Sequence, residues 1–364
     1  MYSFSARNFG LDVIRATAII LVVISHCTYI LPQFNSTLTN AIRLLGATGV
    51  DIFFVLSGYL IGGILLKNIK SEKSSFKSLF HFWKRRWLRT LPNYFVILTL
   101  NIMLAVLLCN SLTDKIWLYI LFLQNVTSEH PDFFTEAWSL SIEEYAYLIL
   151  PFIIYVLLSV FKHIKVDKLF FYGTLFVILL LFLFKIQFYY TVEIVTYNEW
   201  SSQFRKVVIY RLDAIYFGFI MVYLMNRYTF FKAKRHLFFL FSFLSFVLLH
   251  IVIVFLDILP QDYKRFYSIC YLPLISISIA MVFPYFLQLK SNKTLINCIT
   301  YISTRSYVIY LVNYSLVLLT IKYFFKPSLT ALVLYLCITF ILAEVLYRCI
   351  EIPFLKLRNR IVPK

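Results

Sequence analysis

The sequence predicts an all-α, polytopic integral membrane protein in which a single membrane-embedded domain fills residues 1–364. Three observations predict this class. Hydrophobic residues make up 61% of the chain and charged residues only 14%, whereas about 25% of the residues of a soluble domain are charged. Ten apolar runs approach the roughly 20 residues that a helix needs to cross a bilayer. Most positive charges lie in the short segments between these runs, as orientation signals do.

The apolar runs are predicted as follows, in chain order. They are Leu11–Ile30, Leu44–Leu66, Leu91–Leu108, Ile116–Val126, Ile142–Phe161, Leu169–Phe188, Val207–Met225, Leu237–Leu256, Phe266–Leu287, Tyr307–Phe325 and Leu329–Ile350. Only Ile116–Val126 is too short to cross, so we expect a short re-entrant or interfacial helix there. The first run is long enough to span and no small-residue cleavage site follows it, so no cleavable signal peptide is expected.

The distribution of charge predicts the orientation. When the Lys and Arg residues near the ends of the runs are counted with the side they adjoin, 24 of the 35 lie on the side that carries both termini and nine lie on the other side. The remaining two, Arg15 and Arg211, lie within spans. Because basic residues favour the cytoplasmic side, both termini are expected there. The net charge of +18 therefore indicates a lipid bilayer rather than a nucleic-acid partner. The six cysteines show no spacing typical of a metal site or of a disulfide framework.

The first apolar run carries an arginine and a histidine at membrane depth, where ionisable groups are costly. Arg15 and His26 are 11 residues apart, which is about three helical turns, so they share one face about 16 Å apart along the axis. A neutral imidazole can take a proton from a hydroxyl, and a guanidinium suits phosphate. The alternatives are an Arg15 pair with Asp12 and an interfacial role for His26.

The second run begins with an acid and is rich in small residues. Asp51 is expected near the depth of His26, where it could orient the imidazole; the alternative is an acid favoured by the helix dipole. Five of the eight glycines lie in or beside this run, so we expect it to pack closely against the first.

Two further segments carry charges that could act on a substrate. Arg86 and Arg89 share a helix face at the inner surface and form a candidate anion site, with contact to lipid head groups as the alternative. On the outer side, Ser141 and Glu144 have the spacing of a helix capping box. Glu143 has no such explanation, and we expect it at the depth of His26 as a candidate for proton handling or for binding hydroxyls.

The later runs contain two more charged pairs. Arg211 and Asp213 are two residues apart, so they do not face each other and are expected to contact other helices. Glu344 and Arg348 have the i,i+4 spacing of a structural ion pair.

Taken together, these segments resemble the membrane acyltransferase-3 family of multi-pass O-acyltransferases. The resemblance covers Asn8 to about Leu357. Its motifs are the arginine and histidine of the first run, GVDxFFVxSGxLI from Gly49 to Ile61, RxxR at Arg86 and Arg89, WSLSxEE from Trp138 to Glu144, the arginine and aspartate at 211 and 213, and ExPF from Glu351 to Phe354. Family members often have a histidine where this chain has Asn313, so no role of a second histidine transfers. We expect no appended hydrolase domain.

The resemblance implies the reaction and the roles of its residues. An acyl group, most simply acetyl, would pass from cytoplasmic acetyl-CoA to a hydroxyl of an extracytoplasmic or lipid-linked saccharide. His26, Glu143 and Asp51 would be catalytic, with His26 as general base or transient acyl carrier. The donor would bind Arg15, Arg86 and Arg89, and the acceptor would bind Ser141, Trp138, Arg211 and Asp213.

Two other classes of protein remain open at this point. A transporter or flippase for a lipid-linked saccharide would also place charges inside a bundle, although no internal repeat or pair of broken helices is evident. An acyltransferase of another membrane fold would also use an intramembrane histidine. The sequence gives no indication of the oligomeric state or of the acceptor.

Overall fold

A computed structural model of the protein describes residues 7–31, 36–71, 75–108 and 115–363. These residues form helices and no strand. The long helices are α1 (Phe9–Cys27), α2 (Ser36–Lys70), α3 (Phe76–Leu107), α4 (Ala137–Val160), α5 (Val166–Thr191), α6 (Val208–Arg227), α7 (Arg235–Phe255), α8 (Phe266–Phe286), α9 (Lys293–Phe324) and α10 (Leu329–Ile361). Each is long and apolar enough to cross a membrane, and their order matches the ten predicted spans. The all-α polytopic class is confirmed.

Polar residues cap the helices where the apolar runs begin. The side chain of Asn8 accepts a hydrogen bond from the backbone N of Leu11 at the start of α1 (3.2 Å). Ser328 caps α10 in the same way through Ala331 (3.2 Å). These oxygens satisfy backbone donors that have no partner within the helix, so they fix the points at which the chain enters the bundle.

The short run Ile116–Val126 does not cross the bundle. It follows α3 and precedes α4, and only Trp117–Ile120 forms a helical turn. Beyond it the chain folds inward, because Asn125 is fully buried and its Nδ2 donates to the carbonyl of Trp138 at the start of α4 (3.0 Å). The prediction that this run does not cross as a span is therefore confirmed, although its helix is a single turn.

Helix α2 lies at the centre of the bundle and packs closely against α1 and α6. A Cβ added at Gly58 would lie 1.8 Å from the carbonyl oxygen of Ile215, and one at Gly218 would lie 2.3 Å from that of Val55. A Cβ at Gly49 would lie 2.6 Å from the carbonyl oxygen of Ala18 on α1. The missing side chains thus allow the backbones to touch, and the predicted packing of the first two spans is confirmed.

Several helices contain a stretch of π-helix. These stretches are Phe266–Tyr271 at the start of α8, Asn313–Leu318 within α9 and Tyr347–Glu351 within α10. A π segment inserts a residue into the helical repeat and changes the direction of the side chains that follow. The segment in α9 lies beside His26, as described below.

Candidate functional site

Helix α1 carries both ionisable residues of the first span, and both contact α9. Nη1 of Arg15 lies 3.3 Å from Oγ of Ser303, and Nδ1 of His26 forms a hydrogen bond with Oδ1 of Asn313. The predicted common face is therefore present. Arg15 occupies the half of α1 that begins at Phe9, and His26 lies at the opposite end, so the two groups mark different depths along one contact between helices.

Asn313 fixes the proton on one nitrogen of the His26 ring. Its Nδ2 donates to the carbonyls of Ile309 (2.9 Å) and Tyr310 (2.7 Å), and this network assigns Oδ1 to the side that faces the imidazole. An oxygen acceptor requires Nδ1 to carry the hydrogen, which leaves Nε2 with a free lone pair. Within the described ranges, Nε2 of His26 has no hydrogen-bond partner. This state of the ring suits a general base.

A buried glutamate holds the π segment that carries Asn313. Glu136, only 3% exposed, accepts hydrogen bonds from the backbone N of Tyr314 (3.1 Å), from the backbone N of Ser315 (2.7 Å) and from the Ser315 hydroxyl. The Tyr314 ring packs against His26 with centroids 4.8 Å apart. Burial raises the pKa of Glu136 to about 7, although its hydrogen bonds with Ser315 and Tyr314 act in the opposite direction. Glu136 thus holds the backbone of Tyr314 and Ser315, and through this segment it positions Asn313 and Tyr314 beside the imidazole.

Arginines converge at the other end of the α1–α9 contact. The expected pair of Arg15 with Asp12 is present at 3.5 Å, but Asp12 makes shorter contacts of 2.6 Å with both Arg7 and Ser303. Arg89 is exposed, lies within electrostatic range of Arg15, and forms neither an ion pair nor a hydrogen bond with the part of the chain that the structure describes. Positive charge here is only partly neutralised, which favours an anionic ligand.

In the described part of the chain, Arg86, unlike Arg89, forms an ion pair and a hydrogen bond. Its Nη2 lies 3.2 Å from Oε2 of Glu143 and 3.0 Å from the Tyr147 hydroxyl. Ser57 donates to the other oxygen of Glu143 (3.0 Å). No contact joins Glu143 to His26 among the described residues, and the role of Glu143 in proton handling or in binding hydroxyls stays a prediction. Arg86 reaches Glu143 from α3 and ties it to the arginine cluster instead.

The predicted capping box of Ser141 and Glu144 is wrong. Helix α4 begins at Ala137, so Ser141 lies inside it, where its Oγ accepts from Nε2 of Gln124 (2.6 Å) and donates to the carbonyl of Ala137 (3.3 Å). Oε1 of Glu144 accepts from Thr90 on α3 (3.1 Å). The folded-back chain before α4 supplies Gln124 and thereby occupies the hydroxyl. Ser141 is fully buried, and its predicted contact with the acceptor stays a prediction.

Trp138 is likewise part of the packing. Its side chain is 5% exposed, its ring meets that of Phe54 edge to face at 5.8 Å, and the guanidinium of Arg205 lies 5.0 Å from its centre. These neighbours enclose the indole, and the contact of Trp138 with the acceptor stays a prediction.

Two buried ion pairs join α6 to its neighbours. Arg211 pairs with Asp51 of α2, and Asp213 pairs with Lys185 of α5. The expectation that Arg211 and Asp213 contact other helices is confirmed, and neither side chain is exposed; their contact with the acceptor stays a prediction. The contact expected between Asp51 and the His26 ring is absent from the described structure. Arg211 engages this carboxylate, and Asn313 holds the ring nitrogen that Asp51 was expected to reach.

The later pair near the inner end behaves as predicted. Glu344 accepts from Arg348 at i,i+4, and Arg305 of α9 binds the same carboxylate. This arrangement links α9 to α10 and does not contact His26 among the described residues.

Sequence reasoning missed two residues of the site. The sequence singles out Asn313 only as a departure from a histidine, and it does not single out Glu136. For Asn313, the sequence signal was a polar residue at the position where family members often have a histidine. Nothing in the sequence indicated that Glu136 would bind the backbone of a segment about 180 residues away.

The fold and the paired ionisable residues define a multi-pass membrane protein with a polar site between its first and ninth helices. Residues 8–348 match the acyltransferase-3 family, which is described as an acyltransferase domain. Because the match covers most of the chain, the protein belongs to this family.

Curated relatives carry a consistent name. The O-acetyltransferase OatA of Staphylococcus aureus strain NCTC 8325 / PS 47 is 28% identical over 377 aligned positions, which cover 95% of this chain and 57% of the relative. OatA of S. aureus strain COL and of strain MRSA252 give the same values. The chain thus spans 57% of the length of these relatives. No solved structure matches the chain.

Proposed function

We propose that this protein transfers an acyl group, in the simplest case acetyl, from cytoplasmic acyl-CoA to a hydroxyl of an extracytoplasmic or lipid-linked saccharide. O-antigen, capsule and exopolysaccharide are acceptors of this class, and the bacterial inner membrane is the proposed location. The observation that carries the proposal is the single face of α1 on which Arg15 and a tautomer-fixed His26 both contact α9. The family and the names of the relatives support the same reaction.

The spacing of the two groups suits the donor. Arg15 and His26 are separated by about 16 Å along the helix axis, a distance comparable with an extended pantetheine arm. Phosphates of the donor would remain with Arg89 and Arg15, where positive charge lacks a full complement of carboxylates. The thioester would then reach His26 without the nucleotide entering the apolar part of the bundle.

His26 would act on the acceptor through Nε2. This nitrogen takes the proton of the acceptor hydroxyl while the hydroxyl oxygen forms a bond to the thioester carbonyl carbon. The carbon–sulfur bond then breaks, and the departing thiolate receives the proton from Nε2, so the ring returns to its starting state. Asn313 would hold Nδ1–H throughout and stabilise the transient imidazolium. The products are an O-acylated saccharide and free CoA.

Thiol release separates this reaction from transport of a saccharide. Purified protein is incubated with acetyl-CoA labelled in the acetyl group, with and without a saccharide acceptor, and free thiol and labelled acceptor are both quantified. The proposal predicts equal amounts of the two products, which appear only when protein and acceptor are both present. Movement of a lipid-linked saccharide across liposomes with no thiol release would favour the flippase alternative instead.

A further inference from the structure

The C-terminal part of α10 forms a separate surface at the inner end of the bundle. We call Ile352–Ile361, which follows the π segment of α10, the C-terminal segment. It packs against α3, and its end is tied there, because Arg85 donates to the carbonyl of Val362 and Nε2 of His81 lies 2.9 Å from that of Pro363. The family match ends at residue 348 and the resemblance in sequence at about Leu357, so Arg358 lies beyond both.

The C-terminal segment brings another cation to the arginines of α3. Arg358 lies within electrostatic range of Arg85, Arg86 and Arg89, and its guanidinium donates only to the neighbouring Asn359 (3.0 and 3.3 Å) within the described ranges. In that part of the chain, Arg86 alone of these four arginines forms an ion pair with a carboxylate. Glu351, which is buried, lies within electrostatic range of Arg89 and offsets part of its charge. The guanidinium groups that remain in excess repel one another, and a bound polyanion relieves the repulsion.

The arginines are arranged at more than one depth. Arg85 and Arg89 are separated by about 6 Å along α3, and Arg15 interacts with Arg89 from the bundle side. Arg358 comes from the segment that is tied at Arg85, the end of the cluster farther from His26. A ligand that fills this cluster therefore needs anionic groups at both ends.

Coenzyme A has this distribution of charge. Its diphosphate is adjacent to the pantetheine arm, and its 3′-phosphate lies on the ribose, farther from the thioester. We propose that Arg358, together with Arg85, binds the 3′-phosphate of acyl-CoA, while Arg89 and Arg15 hold the diphosphate. This inference rests on the proposed function and adds to it a residue that determines specificity for the donor. A phosphate of an anionic lipid has related chemistry, so the experiment must distinguish the two sources.

The test compares CoA with 3′-dephospho-CoA. Affinities are measured calorimetrically on the full chain in an uncharged detergent, for the wild type, for Arg358→Ala and for Arg360→Ala, an exposed control on the same segment. A charged hydrogen bond is worth about 1.5–3 kcal/mol, so we expect the wild type to prefer CoA by about 10- to 150-fold. Arg358→Ala should lose this preference by weakening CoA alone, and Arg360→Ala should retain it.

Three results would overturn the inference in distinguishable ways. Equal weakening of both ligands by Arg358→Ala, or a preference that persists in it, would remove Arg358 from the 3′-phosphate site while leaving the proposed function intact. A preference that appears in detergent but vanishes in nanodiscs containing phosphatidylglycerol would assign Arg358 to lipid. Failure of the wild type to bind either ligand would contradict the proposed function as well. Arg358→Lys serves if the alanine variant does not fold; it should keep part of the preference, because it retains the charge without the planar fork.

Discussion

Removal of the Asn313 side-chain amide tests whether the tautomer of His26 determines the rate. Asn313→Ala deletes the acceptor of Nδ1–H and leaves the imidazole packed against Tyr314. A neutral hydrogen bond contributes about 0.5–1.5 kcal/mol, so loss of this bond alone should lower kcat by about 2- to 13-fold. The KM for acetyl-CoA should not change, because Asn313 is remote from the arginine cluster.

The assay measures initial rates of thiol release from acetyl-CoA by purified variants. Asn313→Asp should recover only part of the rate, because a carboxylate oxygen accepts the same hydrogen bond from Nδ1 but cannot donate to the carbonyls of Ile309 and Tyr310. Asn101→Ala is the matched control, since Asn101 is also buried and donates to a carbonyl of its own helix (2.9 Å), but it does not contact His26. A wild-type rate in Asn313→Ala, or an equal loss in Asn101→Ala, would refute the positioning role.

The remaining predictions concern the donor, the π segment and the topology. Arg89→Ala should raise the KM for acetyl-CoA by about 10- to 150-fold with unchanged circular dichroism, because the lost interaction is a charged hydrogen bond; an unchanged KM would return Arg89 to contact with lipid. Glu136 has a pKa raised from 4.5 to about 7 in the folded protein, so its contribution to stability falls as pH rises from about 4.5 to about 7. Glu136→Gln cannot titrate, and its melting temperature relative to wild type should therefore rise across this range; a constant difference would contradict the assignment. A cysteine at Ser128 should be labelled from outside and one at Lys232 should not, whereas labelling of both from one side would contradict the ten-span topology.

The fold could be predicted largely from the sequence because lipid imposes one requirement on every span. Each crossing helix needs a long apolar run, and the breaks between runs carry charges. The first and last residues of the helices were harder to predict from the sequence. Helix α4 begins at Ala137 rather than Ile142, because the buried Gln124 and Asn125 bind its first turn from a segment whose inward course has no local sequence signal.

The site could be predicted only where one helix determined the geometry. Arg15 and His26 lie on α1, so helical periodicity alone placed them on a common face. The partners of Glu143, Asp51 and Asn313 come from other helices, and their identity depends on how the helices pack. For Asp51 the closest cation is Arg211, about 160 residues away, and no periodicity could select it over His26.

The most direct test of the account is the rate of acyl transfer by His26→Ala and His26→Gln in a cell that lacks the native enzyme. Both variants should insert normally and reach wild-type levels in the membrane, yet lose about 10²- to 10⁴-fold in O-acylation of the glycan, because neither alanine nor glutamine can take the hydroxyl proton. O-acylation by His26→Ala at near the wild-type rate would contradict the account, because His26 is the group proposed to take the hydroxyl proton.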